Sequence, residues 1–181
     1  MVDELSEKYG NEDIFREKFE ICCQFGLWEQ AAQLLKDWRR NGRKKKELTA
    51  AGIDLDLFTG KIKEAASALE KASGKLNADD AERLTLLMGE LEGDEAAQMP
   101  IWEKRAAKRQ DKTHELMNMA QVQWWNGHYD KAREYAREAL LQLEELIPQK
   151  KKFEALYRSR RCLVLAILGR FDEAETELKA V

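Results

Sequence analysis

Apolar residues recur along this chain at three- and four-residue spacing, the period of a helix that buries one face. Phe15, Phe19 and Cys22 form one such stripe, and Leu84, Leu87, Met88 and Leu91 a second. Leu116, Met119 and Ala120 form a third, which lapses to polar at Gln123. Val, Ile and Thr, the branched residues that strands favour, number only 4, 7 and 5, and there are only 2 prolines to interrupt helices. The pattern predicts an all-α fold. Its boundaries are marked as well: Asn77 or Asp79 can cap a helix start, Gly74 follows a helix end, and Pro148 stops another helix.

The helical stretches are punctuated at nearly constant pitch. Gly26, Gly60, Gly93, Gly127 and Gly169 follow one another at intervals of 34, 33, 34 and 42 residues. Four of the five open a shared phrase: GLWEQAAQLL, GKIKEAASAL, GHYDKAREYA and GRFDEAETEL. Two residues after the glycine stands a bulky side chain (Trp28, Ile62, Tyr129, Phe171), and five after it an alanine (Ala31, Ala65, Ala132, Ala174). The glycine permits the positive φ that ends one helix and releases the next. The bulky residue is expected to plug the space under the turn, and the alanine to let two backbones approach. The copy at Gly93 lacks the bulky residue and reads as worn and shortened.

This phrase at this pitch resembles the tetratricopeptide repeat, a 34-residue antiparallel helix pair. The resemblance covers roughly residues 12–181. It implies one repeat domain over 1–181, an α-solenoid of about five antiparallel helix pairs in a right-handed superhelix. The units fall roughly at 12–42, 46–74, 79–109, 112–147 and 150–181. The last interval is similar to the longer units of kinesin light chains and of bacterial regulatory proteins. A lone helix pair of this kind cannot bury its stripe, so stacked pairs share one core. The phrase stops within the second helix of the fifth unit without a further solvating helix, which leaves two expectations: a piece of a longer protein, or an open end that packs against something, self-association among the options.

In the family the first helix of each unit lines a groove that holds ligands. Carried over, this makes Arg16 and Glu20 of unit one, Arg83 and Leu87 of unit three, Met117, Gln121, Trp124 and Trp125 of unit four, and Arg160 and Leu163 of unit five the candidate groove residues. Neighbouring helical residues point about 100° apart, so one of Trp124 and Trp125 is expected in the packing and the other in the groove. The subset of the family that clamps a chaperone-tail carboxylate needs successive Lys, Arg and Asn there; Arg16 is followed by Glu20, and unit two offers Ala50 and Asp54. The clamp is not supported.

Charge narrows the partners. The net charge is −3, which argues against a general nucleic-acid binder even though Arg39 to Lys46 and Lys150 to Lys152 are basic runs. The 3 cysteines leave no obvious disulfide: Cys22 and Cys23 are adjacent, and Cys162 is remote. Reduced core thiols in a cytoplasmic protein fit best. The longest apolar run is far too short to span a bilayer. His114 and His128 are read as surface residues, and no metal, phosphate-loop or nucleophile motif occurs, so no cofactor and no catalytic residue is expected. The expected function is a non-enzymatic scaffold that binds a protein or peptide. The alternative is an effector- or peptide-sensing regulatory domain of a bacterial signalling or transcription-control protein.

Overall fold

The computed structural model describes residues 15–40, 45–72 and 74–180. The unit boundaries drawn at 12 and 42, and the middle of the first basic run, lie outside them. The described residues form ten helices and no strand. They are α1 (15–24), α2 (Trp28–Arg40), α3 (Lys45–Phe58), α4 (Ile62–Lys71), α5 (Ala78–Glu92), α6 (Glu95–Ala106), α7 (Thr113–Trp125), α8 (Tyr129–Gln149), α9 (Glu154–Ile167) and α10 (Phe171–Lys179). The chain has an all-α, tetratricopeptide-like fold of helix pairs, as the glycine phrase predicts. It divides into two compact units, Met1–Met88 and Gly89–Val181, with α5 running through the boundary.

Each pair is built around the same turn. The five phrase glycines all take positive φ, between 69° at Gly26 and 79° at Gly127. At Gly127 the glycine N–H donates to Trp124 O (3.1 Å) and the next residue, His128, donates to Gln123 O (2.9 Å). Gly26, Gly60 and Gly169 repeat this double bond, which satisfies carbonyls that the ending helix would otherwise leave open. A side chain at such a φ costs about 1 kcal/mol or more, so glycine is selected by the backbone. The next helix starts two residues later in every pair.

The alanines do what their size predicts. Ala31, Ala65 and Ala132 have no exposed surface, and Ala174 is buried. The bulky residues plug less than expected. Trp28 is half-buried and stacks on Phe58 (ring centroids 6.0 Å apart), but Phe171 is 68% exposed, so it does not fill a space under its turn.

The pair that reads as worn keeps the positive-φ glycine and one bond of the turn, from Asp94 N–H to Gly89 O at 2.8 Å. Asp94 caps α6 with its side chain, accepting from Ala97 N at 3.1 Å, where Lys61, His128 and Arg170 make no side-chain cap. The alanine position is taken by Gln98, which is buried. The room for it comes from Gly89 on α5, where a Cβ would lie 2.6 Å from Gln98 Cγ. α6 is 12 residues long, against 10 for α4, so this unit is altered in composition rather than shortened. α8 passes Pro148 by one residue before it ends.

Within Met1–Met88 two clusters fill the core. Phe19, Cys22, Cys23, Ala31, Leu35 and Trp38 pack with Leu48 and Ala51; Ile53, Leu57 and Ala65 pack with Leu84 and Met88. Within Gly89–Val181 one cluster joins α7, α8, α9 and α10 through Leu116, Leu140, Leu143, Val164 and Leu165. Each fully buried leucine contributes about 2 kcal/mol by leaving water. In this second unit the first helices of successive pairs, α7 and α9, touch directly.

Candidate functional site

The first unit carries a hollow of about 310 Å³ on the face shared by its first helices. α1 supplies Arg16, Phe19, Glu20, Cys23 and Gln24; α3 supplies Ala50, Ala51, Asp54 and Phe58; α5 supplies Asp80 and Arg83. Trp38 of α2 closes the wall. These positions recur at three- and four-residue spacing on their helices because one face of each helix is turned to the same space. Three of the candidate residues, Arg16, Glu20 and Arg83, are thereby brought together around one hollow.

Charge in the hollow is organised in pairs. Arg83 forks onto Asp54, with Nη1 donating to Oδ1 at 2.7 Å and Nη2 to Oδ2 at 2.8 Å. Its Nη2 also stands 3.7 Å from Asp80 Oδ1. The hydrogen bond to Asp54 raises the Arg83 pKa further above its usual value; burial opposes this, and the charges of Asp54, Asp80 and Glu20 add to it. Arg83 is therefore a fixed strut between α3 and α5, not a free guiding cation. Arg16 Nε donates to Glu20 Oε1 at 3.0 Å, one turn along α1. Asp80 is held as the first-turn acid of α5: its N–H donates to Asn77 Oδ1 (2.7 Å), and its Oδ2 accepts from Asn77 Nδ2 (2.7 Å).

Cys23 stands in this wall but is not poised for attack. Burial first, then the charge of Asp54 with Cys22 and Glu20, pushes its thiol up to about 11. A thiol so high carries almost no thiolate at neutral pH, so neither metal capture nor disulfide exchange starts there. Cys22, Cys23 and Cys162 are all free.

In the second unit the predicted groove residues lie on α7 and α9, and they behave differently from one another. Trp124 is half-buried and meets Tyr129 edge-on at 4.8 Å, while Trp125 is 60% exposed. The two indoles split as their 100° offset requires. Met117 and Leu163 are partly buried against the core cluster, and Gln121 is half-buried. Arg160 is tied down, with Nη1 donating to Thr113 Oγ1 at 2.9 Å and its guanidinium 5.7 Å from the centre of the Tyr157 ring. In the first unit, Leu87 packs into the core around Leu84 rather than lining the hollow.

Around Arg160 lies a polar lock between α7 and α9. Tyr157 donates its hydroxyl to Asp111 Oδ2 (2.8 Å), and Thr113 donates its own to Asp111 Oδ1 (2.7 Å). Burial would raise the Asp111 pKa, but bonds from the Thr113 and Tyr157 hydroxyls and from Thr113 N–H, with Arg160 nearby, lower it. That first bond raises the Tyr157 pKa in turn. These groups are saturated by one another, which makes them structural.

His114 corrects the surface reading. It is half-buried, edge-on to Trp102 at 5.7 Å, and its pKa is lowered by burial, then by Arg160, against Glu115 and with Arg109 and Arg105. His128 is more exposed and bridges to the neighbouring pair: Nδ1 lies 2.9 Å from Glu95 Oε2, while Gln123 Nε2 donates to Glu95 Oε1 at 2.7 Å. The polar lapse at Gln123 is thus a buried amide with a purpose. Among the described residues, no three His, Cys, Asp or Glu side chains converge to hold a metal ion.

Sequence reasoning missed Asp80, Cys23 and Phe58 as hollow residues. Asp54 enters the sequence argument only as a residue that tells against the carboxylate clamp. The repeat phase does place Asp54 and Phe58 on the groove face; what it lacks is the depth, which arises where three helices converge.

No protein-family model matches the chain, and no curated protein matches it. A solved structure does match: MamA RS-1 ArsTM double mutant, with a TM-score of 0.56 at 15% identity. The match covers 92% of this chain and 90% of that one. At that identity the likeness is one of fold, and it extends over nearly all the helix pairs.

Proposed function

We propose that the chain is a non-enzymatic binding scaffold that holds an extended peptide segment of a protein partner against its first helices. The observation that carries this reading is the hollow of about 310 Å³, whose lining comes from the groove positions of three successive pairs. Its volume lies at the small end of ligand sites, about 300–1,000 Å³. It suits one or two side chains of a peptide rather than a folded element. The exposed Trp125 is a second contact on the same kind of face in the second unit, since aromatic groups carry much of a binding energy. No helix among the described residues is long and apolar enough to cross a membrane. Free buried thiols suit a reducing compartment such as the cytoplasm.

The test is selection of peptides from a displayed random library on the immobilised full chain, followed by fluorescence anisotropy of the enriched peptides. Gln24 is exposed and lines the hollow, so Gln24→Trp fills the hollow without touching the core. Enriched peptides should lose at least tenfold in affinity against Gln24→Trp while helicity stays unchanged. A library that yields nothing above background removes the reading. So does a set of peptides indifferent to Gln24→Trp and to Ala at both Trp124 and Trp125.

The effector-sensing alternative draws on the same hollow, whose size also suits a small metabolite. A thermal-shift screen of metabolites beside short peptides separates the two: stabilisation grows with the logarithm of ligand concentration over Kd, so a large shift with a metabolite favours the sensor and shifts with peptides alone favour the scaffold.

A further inference from the structure

We infer that the hollow of the first unit selects a cationic side chain, an arginine or lysine of the bound peptide. This rests on the proposed function and adds the chemistry of the partner. Three carboxylates, Glu20, Asp54 and Asp80, face two guanidiniums, Arg16 and Arg83. Each guanidinium is already matched: Arg16 to Glu20 at 3.0 Å, Arg83 to Asp54 through two bonds of 2.7 and 2.8 Å. Asp80 is left as the surplus charge, 3.7 Å from Arg83 and, among the described residues, otherwise held by Asn77 and its own helix start. Counted over these five side chains the space carries one net negative charge, and the fork onto Asp54 occupies Arg83.

The neighbouring groups respond to that field. Asp54 and Glu20 add to burial in driving the Cys23 thiol up to about 11, so the wall disfavours a second negative charge. The other walls are apolar: Phe19, Trp38, Ala50, Ala51 and Phe58. A long methylene stem packs on such walls while its charged tip reaches the carboxylates, and an aromatic face adds attraction for the cation. A leucine side chain would fill the walls but gain nothing from the surplus negative charge. A glutamate would meet Asp80 and Glu20 with like charge. Arginine and lysine satisfy both parts.

The probes are N-acetyl-arginine methylamide and its norleucine and glutamate counterparts, followed by the indole N–H resonance of Trp38 in 1H–15N spectra. That resonance is identified by its loss in Trp38→Phe. The arginine probe should shift it and saturate at a concentration at least fivefold below that of the norleucine probe, and the glutamate probe should leave it in place. Raising the salt, and Asp80→Asn combined with Glu20→Gln, should each erase the preference for arginine. Equal saturation by arginine and norleucine would overturn the cation assignment and leave the peptide site standing. Binding of the glutamate probe, or a preference that survives the double variant, would also overturn the assignment. No response to any probe would remove the hollow as a site and the proposed function with it.

Discussion

Gln98 of α6 lies across Gly89 of α5, so close that a Cβ on Gly89 would stand 2.6 Å from Gln98 Cγ and 3.2 Å from Asp94 O. The other pairs put an alanine where this one has Gln98. One large side chain has therefore been exchanged against one missing side chain across the same contact. An alanine in place of a helical glycine ordinarily stabilises by about 1 kcal/mol. At Gly89 the overlap outweighs that gain, and Gly89→Ala is expected to cost about 1–3 kcal/mol. Gln98→Ala in the same chain should recover most of the loss, because it restores the alanine of the other units. Urea denaturation of the two single variants and the double variant measures the coupling. Additive effects would mean that the contact is looser than this geometry.

That exchange marks how far the sequence could be read. The glycine phrase fixes the turns because positive φ is a local demand with one cheap answer, and so the five pairs are legible from Gly26, Gly60, Gly93, Gly127 and Gly169. The alanine rule was legible for the same reason. The copy at Gly93 reads as worn because it lacks the bulky residue, and the fit of Gln98 is hidden in the sequence because its partner Gly89 lies nine residues earlier and on another helix. The candidate site was legible in part. Arg16, Glu20 and Arg83 do line one hollow, but whether Arg83 is a free cation depends on Asp54, 29 residues away. Pairing across helices is a property of packing, and the spacing along the chain does not contain it.

A buried carboxylate in the second unit tests the cost of an unmatched charge. Glu115 is 1% exposed at its side chain, and Arg109 Nη1 reaches its Oε1 at 3.0 Å. Its Oε2 is buried with no hydrogen-bond partner. Removing Arg109 leaves the charge inside alone, whereas Glu115→Gln removes the charge. Arg109 is largely exposed, so water recovers part of the loss. Arg109→Met is expected to cost about 1–3 kcal/mol and Glu115→Gln under about 1 kcal/mol. Chemical denaturation at neutral pH checks the order, and a larger loss for Glu115→Gln would contradict it.

His114 makes the fold sensitive to mild acid. Its pKa is lowered, by burial first and then by Arg160, with Arg109 and Arg105 acting alike and Glu115 opposing. The unfolded chain takes up the proton near the ordinary value of 6.5, while the folded chain resists until lower pH. Between those two points the unfolded state binds more protons, so acidification weakens the fold; above 6.5 the residue contributes no pH dependence. Wild type should lose more stability than His114→Gln between about pH 7.5 and about pH 5.5. Equal losses would place the sensitivity elsewhere.

Trp124 and Trp125 share a helix turn and divide into two jobs. Trp124 is half-buried, packs against the second unit's core cluster and meets Tyr129 edge-on at 4.8 Å. Truncating it opens space beside that core and strips Tyr129 of its neighbour, so Trp124→Ala is expected to cost about 2–3 kcal/mol. Trp125 is 60% exposed, so it gains little by leaving water in the folded state. Trp125→Ala should change stability by no more than about 0.5 kcal/mol. A ring that adds so little to the fold and is this exposed is available to a partner. The two variants therefore separate folding from binding: Trp125→Ala should weaken a selected peptide that spans the second unit with the melting curve unmoved. A Trp125→Ala protein that melts as early as Trp124→Ala would make this ring part of the core, and its share in binding would have to be withdrawn.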